Sequence, residues 1–280
     1  MSDISQYFSS AYAAARANFL KAVASAGLAS RSFIQVEKGL EGEDLAIDVA
    51  YSGSPDAQHL LVLSCGTQGA DGFAGSAIQS YLLHDPQWHE QLQASGIAVL
   101  YVHAVNPWGM SHLTFGDAHN INFVRNFVDF SQPLPANLGY EQLHERALTP
   151  AWEVGTESEA ATQEIIKKHG LNFLLNIHQR GQYTRPTGFY YGGTAPSWSH
   201  QQWRKILQTY GQKAQYVAWL DMRRGWGISR GQATLVANAN PSDEEAIDRA
   251  RDWWASGDNM ALVARPDALQ TLIPFGTGNP

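Results

Sequence analysis

Two uninterrupted apolar runs constrain the fold of this chain more than any other feature: HLLVLSCG, which begins at His59, and IAVLYVHAVNP, from Ile97 to Pro107. Continuous apolar strands are typical of parallel sheets, because helices cover both faces of such sheets. The stretch between the runs, from about Gly75 to Leu92, predicts a helix, so strand, helix and strand alternate. The sequence therefore predicts a three-layer α/β/α fold with a mixed, mainly parallel central sheet.

Other segments complete this pattern. RSFIQVEK and DLAIDVAYSG, joined by GLEGE, predict a hairpin at the sheet edge. Two further core strands and three further helices are predicted, the strands at Ala214–Met222 and Gln232–Ala239 and the helices at Ser5–Ala26, Thr156–Gly170 and Pro241–Ala255. No low-complexity linker divides the 280 residues, so we expect one domain over residues 1–280.

Composition limits the possible partners and compartment. The formal net charge is −7, and lysine and arginine are scattered, whereas binding to nucleic-acid phosphates needs a concentrated basic face. The single cysteine, Cys65, excludes an internal disulfide framework and fits a reducing compartment. We therefore expect no nucleic-acid partner.

The N-terminal segment does not read as a secretion signal. It carries Asp3, where such signals are basic, and Arg16 and Lys21 interrupt the apolar stretch that a signal needs. No run approaches the roughly 18 apolar residues of a membrane span. The expectation is a soluble, cytoplasmic protein without a membrane partner.

Three unusual stretches follow predicted strands: CGTQGADG at Cys65–Gly72, NPWGM at Asn106–Met110 and RRGWG at Arg223–Gly227. Ligands of open α/β sheets bind outside the carboxyl ends of the strands. We therefore expect these stretches to converge on one pocket. The glycines of the first stretch are explained by a tight connection from strand to helix, which needs unusual backbone angles.

With YFSSAYAAAR, NINFVRNFVDFSQPLP and GQYTRPTGFYYGGTAPSW, these stretches resemble, in order and spacing, the DUF2817 family of zinc-carboxypeptidase-like (peptidase M14-like) proteins. The resemblance covers most of the chain and implies a zinc-carboxypeptidase-like fold. The family's His-Gly-x-Glu-Gly turn supplies two zinc ligands, and this chain has Gln68 and Asp71 there. The family's Asp-x-His-Thr-Gly supplies the third, and this chain has Arg223 there.

These three replacements differ in severity. Asp71 keeps a carboxylate with a shorter reach, Gln68 offers a poor neutral ligand, and Arg223 carries a fixed positive charge that cannot coordinate a cation. We therefore expect no zinc and no other cofactor, and we expect Arg223 to pair with Asp71 at this site. The family's general-base glutamate, in a late Glu-Phe-Gly-Thr stretch, is also missing, because Pro274 precedes Phe275. The C-terminal region reads as shortened relative to the family.

The resemblance further implies anion-binding candidates. Arg125 and Asn126, in NINFVRNF, match the family stretch that includes a substrate-binding arginine, and Arg224 adds a nearby positive charge. The predicted ligand is a small molecule or peptide end that bears a carboxylate. The leading hypothesis is a non-catalytic relative, or pseudoenzyme, that retains the pocket.

Two other classes of function stay open. One is a metal-dependent hydrolase, of carboxypeptidase or amidase/deacylase type, that uses Asp71 with His112, His119 or His178 in an atypical site. The other is an interaction module. Whether the chain is an enzyme, and its oligomeric state, are not decided by the sequence. Cys65 is interpreted as a small buried residue rather than a nucleophile.

Overall fold

The computed structural model describes residues 4–144, 155–223, 233–237 and 260–264, with the isolated residues 248 and 252. The chain forms two compact units. Unit 1 comprises Met1–Phe123 and Pro196–Arg224, and unit 2 comprises Val124–Ala195 and Gly225–Pro280. The single domain over residues 1–280 stays a prediction, and the predicted helix at Pro241–Ala255 and the shortened C-terminus lie outside the described residues or almost entirely so.

The described helices and strands of unit 1 carry most of the predicted elements. Its α-helices are α1 (Tyr12–Ser25), α2 (Gly72–His84), α3 (Pro86–Ser95) and α4 (Pro107–Ser111), with α8 (Trp198–Gly211). Its strands are β1 (Ser30–Lys38), β2 (Asp44–Ser52), β3 (His59–Cys65), β4 (Ala98–His103) and β5 (Tyr216–Met222). Short 3-10 helices occur at Ile4–Tyr7, Gly69–Asp71 and Phe123–Asn126, the last at the boundary with unit 2.

The central sheet has five strands in the order β1-β2-β4-β3-β5. β1 pairs antiparallel with β2 and β2 antiparallel with β4, whereas β3 pairs parallel with both β4 and β5. The predicted hairpin therefore lies at the sheet edge, and the two apolar runs are neighbouring parallel strands. Because the described pairings of this sheet include both directions, the predicted mixed sheet is confirmed.

Helices cover both faces of this sheet. On one face, α1, α2 and α3 pack on a core that includes Phe19, Leu63 and Tyr101. On the other face, the α8 residue Trp203 lies 4.9 Å from Trp219 of β5, measured between ring centroids. Trp203 is fully buried, and an aromatic of this size removes a large apolar area from water, which is the main stabilising contribution to such a layer. The three-layer α/β/α prediction is confirmed.

The helix expected from about Gly75 to Leu92 is two helices. α2 ends at His84, and α3 begins at Pro86, whose missing N–H is tolerated in the first turn. The Asp85 side chain caps α3 by accepting a hydrogen bond from the Gln87 N–H at 3.0 Å. The Asp85-Pro86 pair ends one helix and starts the next. The helical spacing of apolar residues continues across this pair, so it wrongly suggests one helix.

Buried polar groups join α1 and α2 to the sheet. Arg16 of α1 donates from Nε to Asp48 Oδ2 at 2.7 Å, and the Asp48 side chain is fully buried. His103, paired across the strands with Asp48, shares a 2.9 Å hydrogen bond with Ser76 of α2. Burial lowers the pKa of His103 to about 4, so this histidine is neutral near pH 7 and structural.

Unit 2 contains helices α5 (Leu138–His144), α6 (Glu157–His169) and α7 (Leu171–Arg180), and strands β6 (Ala233–Ala237) and β7 (Met260–Ala264). β6 and β7 form a parallel two-stranded sheet. Tyr140, Leu174 and Ile177 form a small buried cluster between α5 and α7. In the described parts of both units, no helix combines the length and the apolarity that crossing a membrane requires.

Candidate functional site

The glycine-rich turn after β3 is built by close backbone contacts with α4 and the loop that follows it. The Asn106 N–H donates to Gly66 O at 2.9 Å, and the Ala70 N–H donates to Thr114 O at 3.1 Å. Gly69 has φ +55°, and a Cβ there would lie 2.5 Å from the carbonyl carbon of Gly109. The turn therefore requires glycine for its backbone angles and for its packing, which confirms the structural interpretation of its glycines.

The same turn lies against the end of β5. A Cβ at Gly75, in the first turn of α2, would lie 2.5 Å from Met222 O and 2.6 Å from Cys65 Cβ. The carboxyl ends of β3 and β5, the start of α2 and the α4 segment thus meet at one edge of the sheet. CGTQGADG, NPWGM and the end of β5 up to Arg223 therefore lie close together, and the single pocket expected there stays a prediction.

Gln68 is the N-cap of the short 3-10 helix Gly69–Asp71 and Asp71 is its last residue, and both are half-buried. Asp71 occupies the N-cap position of α2, but its side chain makes no capping hydrogen bond to that helix. Asp71 therefore does not cap α2 through its side chain. The structure places both predicted residues at the strand-end edge, where ligands of such sheets bind.

Arg223 forms its ion pair with Asp221, two residues earlier, at the end of β5. The expected pairing of Arg223 with Asp71 was wrong, because residues two apart on a strand point to the same side and bring these two charges together directly. Arg223 is 29% exposed and Asp221 13% exposed at the side chain. The third predicted position is thus held by a largely buried ion pair.

Asp221 is the acceptor at the centre of a hydrogen-bond network that we had not predicted. Ser64 Oγ donates to Asp221 Oδ1 at 2.7 Å, and Thr67 Oγ1 donates to Asp221 Oδ2 at 2.6 Å. Trp219 Nε1 donates to Ser64 Oγ at 2.8 Å, on the adjacent strand. The sequence does carry a signal for this network. Trp219, Asp221 and Arg223 are spaced two residues apart, so their side chains lie on one face of β5 and its continuation.

The Asp221 network uses the Nε end of the Arg223 guanidinium. Arg223 uses Nε for Asp221, and within the described part of the chain its two Nη groups make no hydrogen bond. An arginine held at Nε presents its two Nη groups as a planar fork that matches a carboxylate.

The residues at the zinc-ligand positions that the resemblance implies do not fit zinc. Gln68 and Arg223 supply an amide and a guanidinium, and zinc sites are made of Cys, His and carboxylate ligands. Among the residues that the structure describes, no three His, Cys, Asp or Glu side chains come together as a group able to hold a metal ion. Arg223, already committed to Asp221, would also repel a divalent cation.

The histidines proposed for an atypical metal site lie in other settings. His112 stacks on Trp108 with ring centroids 3.9 Å apart, and its Nδ1 lies 3.0 Å from Trp108 O. His119 is 75% exposed at its side chain and lies 4.0 Å from Glu37 Oε1. His178 belongs to α7, and its side chain lies outside the described part of the structure.

Cys65 is confirmed as a buried structural residue. Its Sγ accepts a 3.5 Å hydrogen bond from the Ala104 N–H, and the thiol is fully buried. Burial raises the pKa of Cys65 to about 12, so no thiolate forms near neutral pH. A nucleophilic role is therefore excluded by the same burial.

The remaining anion-binding candidates belong to unit 2 or lie outside the described residues. Asn126 is fully buried and donates from Nδ2 to Gly192 O at 2.7 Å and to Ala195 O at 2.9 Å. The Arg125 carbonyl accepts a 2.7 Å hydrogen bond from Tyr183. Arg224 lies outside the described residues. The anion-binding roles of all three stay predictions.

Comparison with solved structures finds several of low similarity. Thrombin activatable fibrinolysis inhibitor gives a TM-score of 0.46 at 8% identity, over 91% of this chain and 58% of that chain. A Shewanella frigidimarina protein, provisionally assigned as succinylglutamate desuccinylase/aspartoacylase, gives 0.38 at 18% identity, over 80% and 51%. A metallo-carboxypeptidase from Burkholderia cenocepacia gives 0.32 at 12%, over 74% and 59%. This chain thus spans little more than half the length of each of these structures.

Sequence comparison places the chain in one family. No curated protein matches it significantly. A family model described as a protein of unknown function, DUF2817, matches residues 8–269, which is nearly the whole of the 280-residue chain. The chain therefore belongs to the DUF2817 family.

Proposed function

We propose that this protein is a metal-free, non-catalytic member of its family that binds a carboxylate-bearing small molecule or peptide end at Arg223. The observation that carries the proposal is the arrangement of this guanidinium at the strand ends, which is fixed through Nε by Asp221 and whose Nη groups make no hydrogen bond to the residues that the structure describes. A fixed fork loses little conformational entropy when a carboxylate binds it, so its affinity for a planar anion is raised.

Two further features support an anion rather than a cation at this position. The place where the resembled family has a histidine ligand carries a permanent positive charge. Gln68, on the adjoining turn, offers an amide N–H₂ that can donate to a carboxylate oxygen.

The metal-free part of the proposal is tested by measuring zinc content. After equilibration with zinc and desalting, elemental analysis of the natural protein is expected to give no stoichiometric zinc. The triple variant Gln68→His, Asp71→Glu, Arg223→His restores the ligand types that zinc prefers, and we expect it to bind about one zinc per chain. Stoichiometric zinc in the natural protein would overturn the metal-free assignment and direct attention to its histidines.

The ligand class is tested with matched acids and amides. A panel of N-acetylated amino acids is titrated by calorimetry beside the corresponding amides, which have nearly the same shape without the charge. We expect at least one acid to bind about tenfold more tightly than its amide, because a charge-assisted bidentate pair is lost in the amide. The Arg223→Lys variant keeps the charge without the fork and should weaken binding of the acid.

Two results would contradict this ligand class. Acids and amides that bind the natural protein equally would show that the carboxylate is not recognised. If the acids bind the Arg223→Lys variant as tightly as the natural protein, their binding site lies elsewhere. A Lys205→Gln variant, which removes a positive charge from α8, controls for long-range electrostatics.

A further inference from the structure

The edge strand β1 presents apolar side chains to solvent. β1 stands at the end of the five-stranded sheet, and in the described part of the chain its one strand neighbour is β2. Ile34 is 57% exposed and Val36 is 90% exposed, although both belong to a nine-residue strand. A long edge strand with exposed β-branched residues is a template on which another strand can pair.

The sequence of β1 is complementary to itself in the antiparallel direction. Ser30–Lys38 reads SRSFIQVEK, and antiparallel pairing about Ile34 sets Arg31 opposite Glu37 at both ends of the contact. It also sets Ile34 against its own copy. Parallel pairing in register would instead set Arg31 against Arg31 and Glu37 against Glu37, which is unfavourable. The charge pattern therefore selects one orientation.

Side chains along β1 point alternately to the two faces of the sheet, so these pairs are divided between the two faces. Ser32 lies on the α1 face, where it donates to Asp48 at 2.5 Å, so Ile34 and Val36 share that face. Arg31 and Phe33 lie on the opposite face, where the Arg31 guanidinium sits 4.9 Å from the Phe33 ring centroid. In the antiparallel pair, Ile34 would meet its own copy on one face, and Arg31 would meet Glu37 on the other.

We propose that a second copy of this chain pairs with β1, antiparallel and centred on Ile34, to form a two-fold dimer in which the two central sheets become one continuous sheet. Such an interface is isologous, because each copy contributes the same strand. The pairing register of β1 with β2 shifts between Ile34 and Lys38, which bends the strand and limits the length of regular pairing. The dimer is therefore weak and reversible, and it forms with or without a ligand at Arg223.

The test is a charge exchange followed by sedimentation velocity over a range of protein concentrations. We expect the natural protein to show a reversible monomer–dimer equilibrium. Arg31→Glu places two carboxylates opposite each other at both ends of the contact and should raise the dimer dissociation constant about tenfold or more. The double variant Arg31→Glu, Glu37→Arg restores both pairs with their signs exchanged and should recover dimerisation. Arg204→Glu, on α8, is the matched charge reversal away from β1 and should leave the equilibrium unchanged.

Amide hydrogen exchange locates the contact independently. The β1 amides are expected to become more protected as the protein concentration rises, and those of β5, at the other end of the described sheet, are not. A natural protein that stays monomeric at millimolar concentration overturns the proposal. A dimer that survives Arg31→Glu unchanged, or that the double variant fails to restore, also overturns it, because the contact would then lie on another surface or involve another register.

Discussion

Replacing Gly69 with alanine is expected to lower the free energy of unfolding by about 4 kcal/mol, as measured by urea denaturation followed by circular dichroism. Two costs add at this residue. Its φ of +55° is a left-handed conformation that alanine adopts with strain. A Cβ would also overlap Thr114 O and lie 2.5 Å from the Gly109 carbonyl carbon, and both are backbone atoms that cannot rotate away.

The chain offers a matched control for this prediction. Gly96, the C-cap of α3, has φ +67°, and a Cβ there would meet nothing within 4 Å. Gly96→Ala should therefore show the conformational cost alone, about 1 kcal/mol. If Gly69→Ala costs no more than Gly96→Ala, the α4 loop is not seated on the turn as the structure describes.

The consequence of Gly69→Ala for the site follows from the same contacts. Thr114 O, which the new methyl group would displace, accepts the hydrogen bond from Ala70 in the same turn. Because Gln68 and Asp71 stand on either side of this anchor, movement of the turn moves both. Packing around one glycine thus determines where two of the three candidate site residues lie.

The central strands could be predicted from the sequence because their apolar runs have few alternatives. HLLVL and IAVLYVH are too apolar for an exposed element and are followed closely by glycine or Asn-Pro, so β3 and β4 were identified correctly. The edge hairpin was equally clear, because β-branched residues flank a Gly-containing turn. The sequence prediction missed the division between α2 and α3, although Pro86 indicates that a new helix begins there.

The candidate site was predictable only in part, because it depends on pairing between distant segments. The positions of Gln68, Asp71 and Arg223 at the strand ends followed from motif order. The network around Asp221 did not, because Ser64 and Asp221 become neighbours only through the parallel register of β3 and β5, across 157 residues of chain. Register is a tertiary property, so a single sequence identifies the polar residues without showing which of them meet.

We expect Asp221→Ala to lower the free energy of unfolding by about 3 kcal/mol, as measured by urea denaturation. The change leaves the hydroxyl donors of Ser64 and Thr67, both fully buried, without their acceptor, and it leaves the largely buried guanidinium of Arg223 without its counter-charge. Arg223→Met is expected to cost less, because the carboxylate keeps its two hydroxyl donors. The Lys38–Asp44 pair is the matched exposed case, and Asp44→Ala should cause no measurable loss.

The same variants separate two roles that Asp221 can play toward an anion. As a nearby negative charge, Asp221 repels a bound carboxylate, so Asp221→Asn would strengthen binding if charge alone mattered. As the group that fixes Arg223 through Nε, it orients the fork, so its loss would weaken binding. We expect weaker binding of the N-acetylated acids to Asp221→Asn in the calorimetric titration. Stronger binding would contradict the positioning role, while a loss of stability in Asp221→Ala would still establish the network as structural.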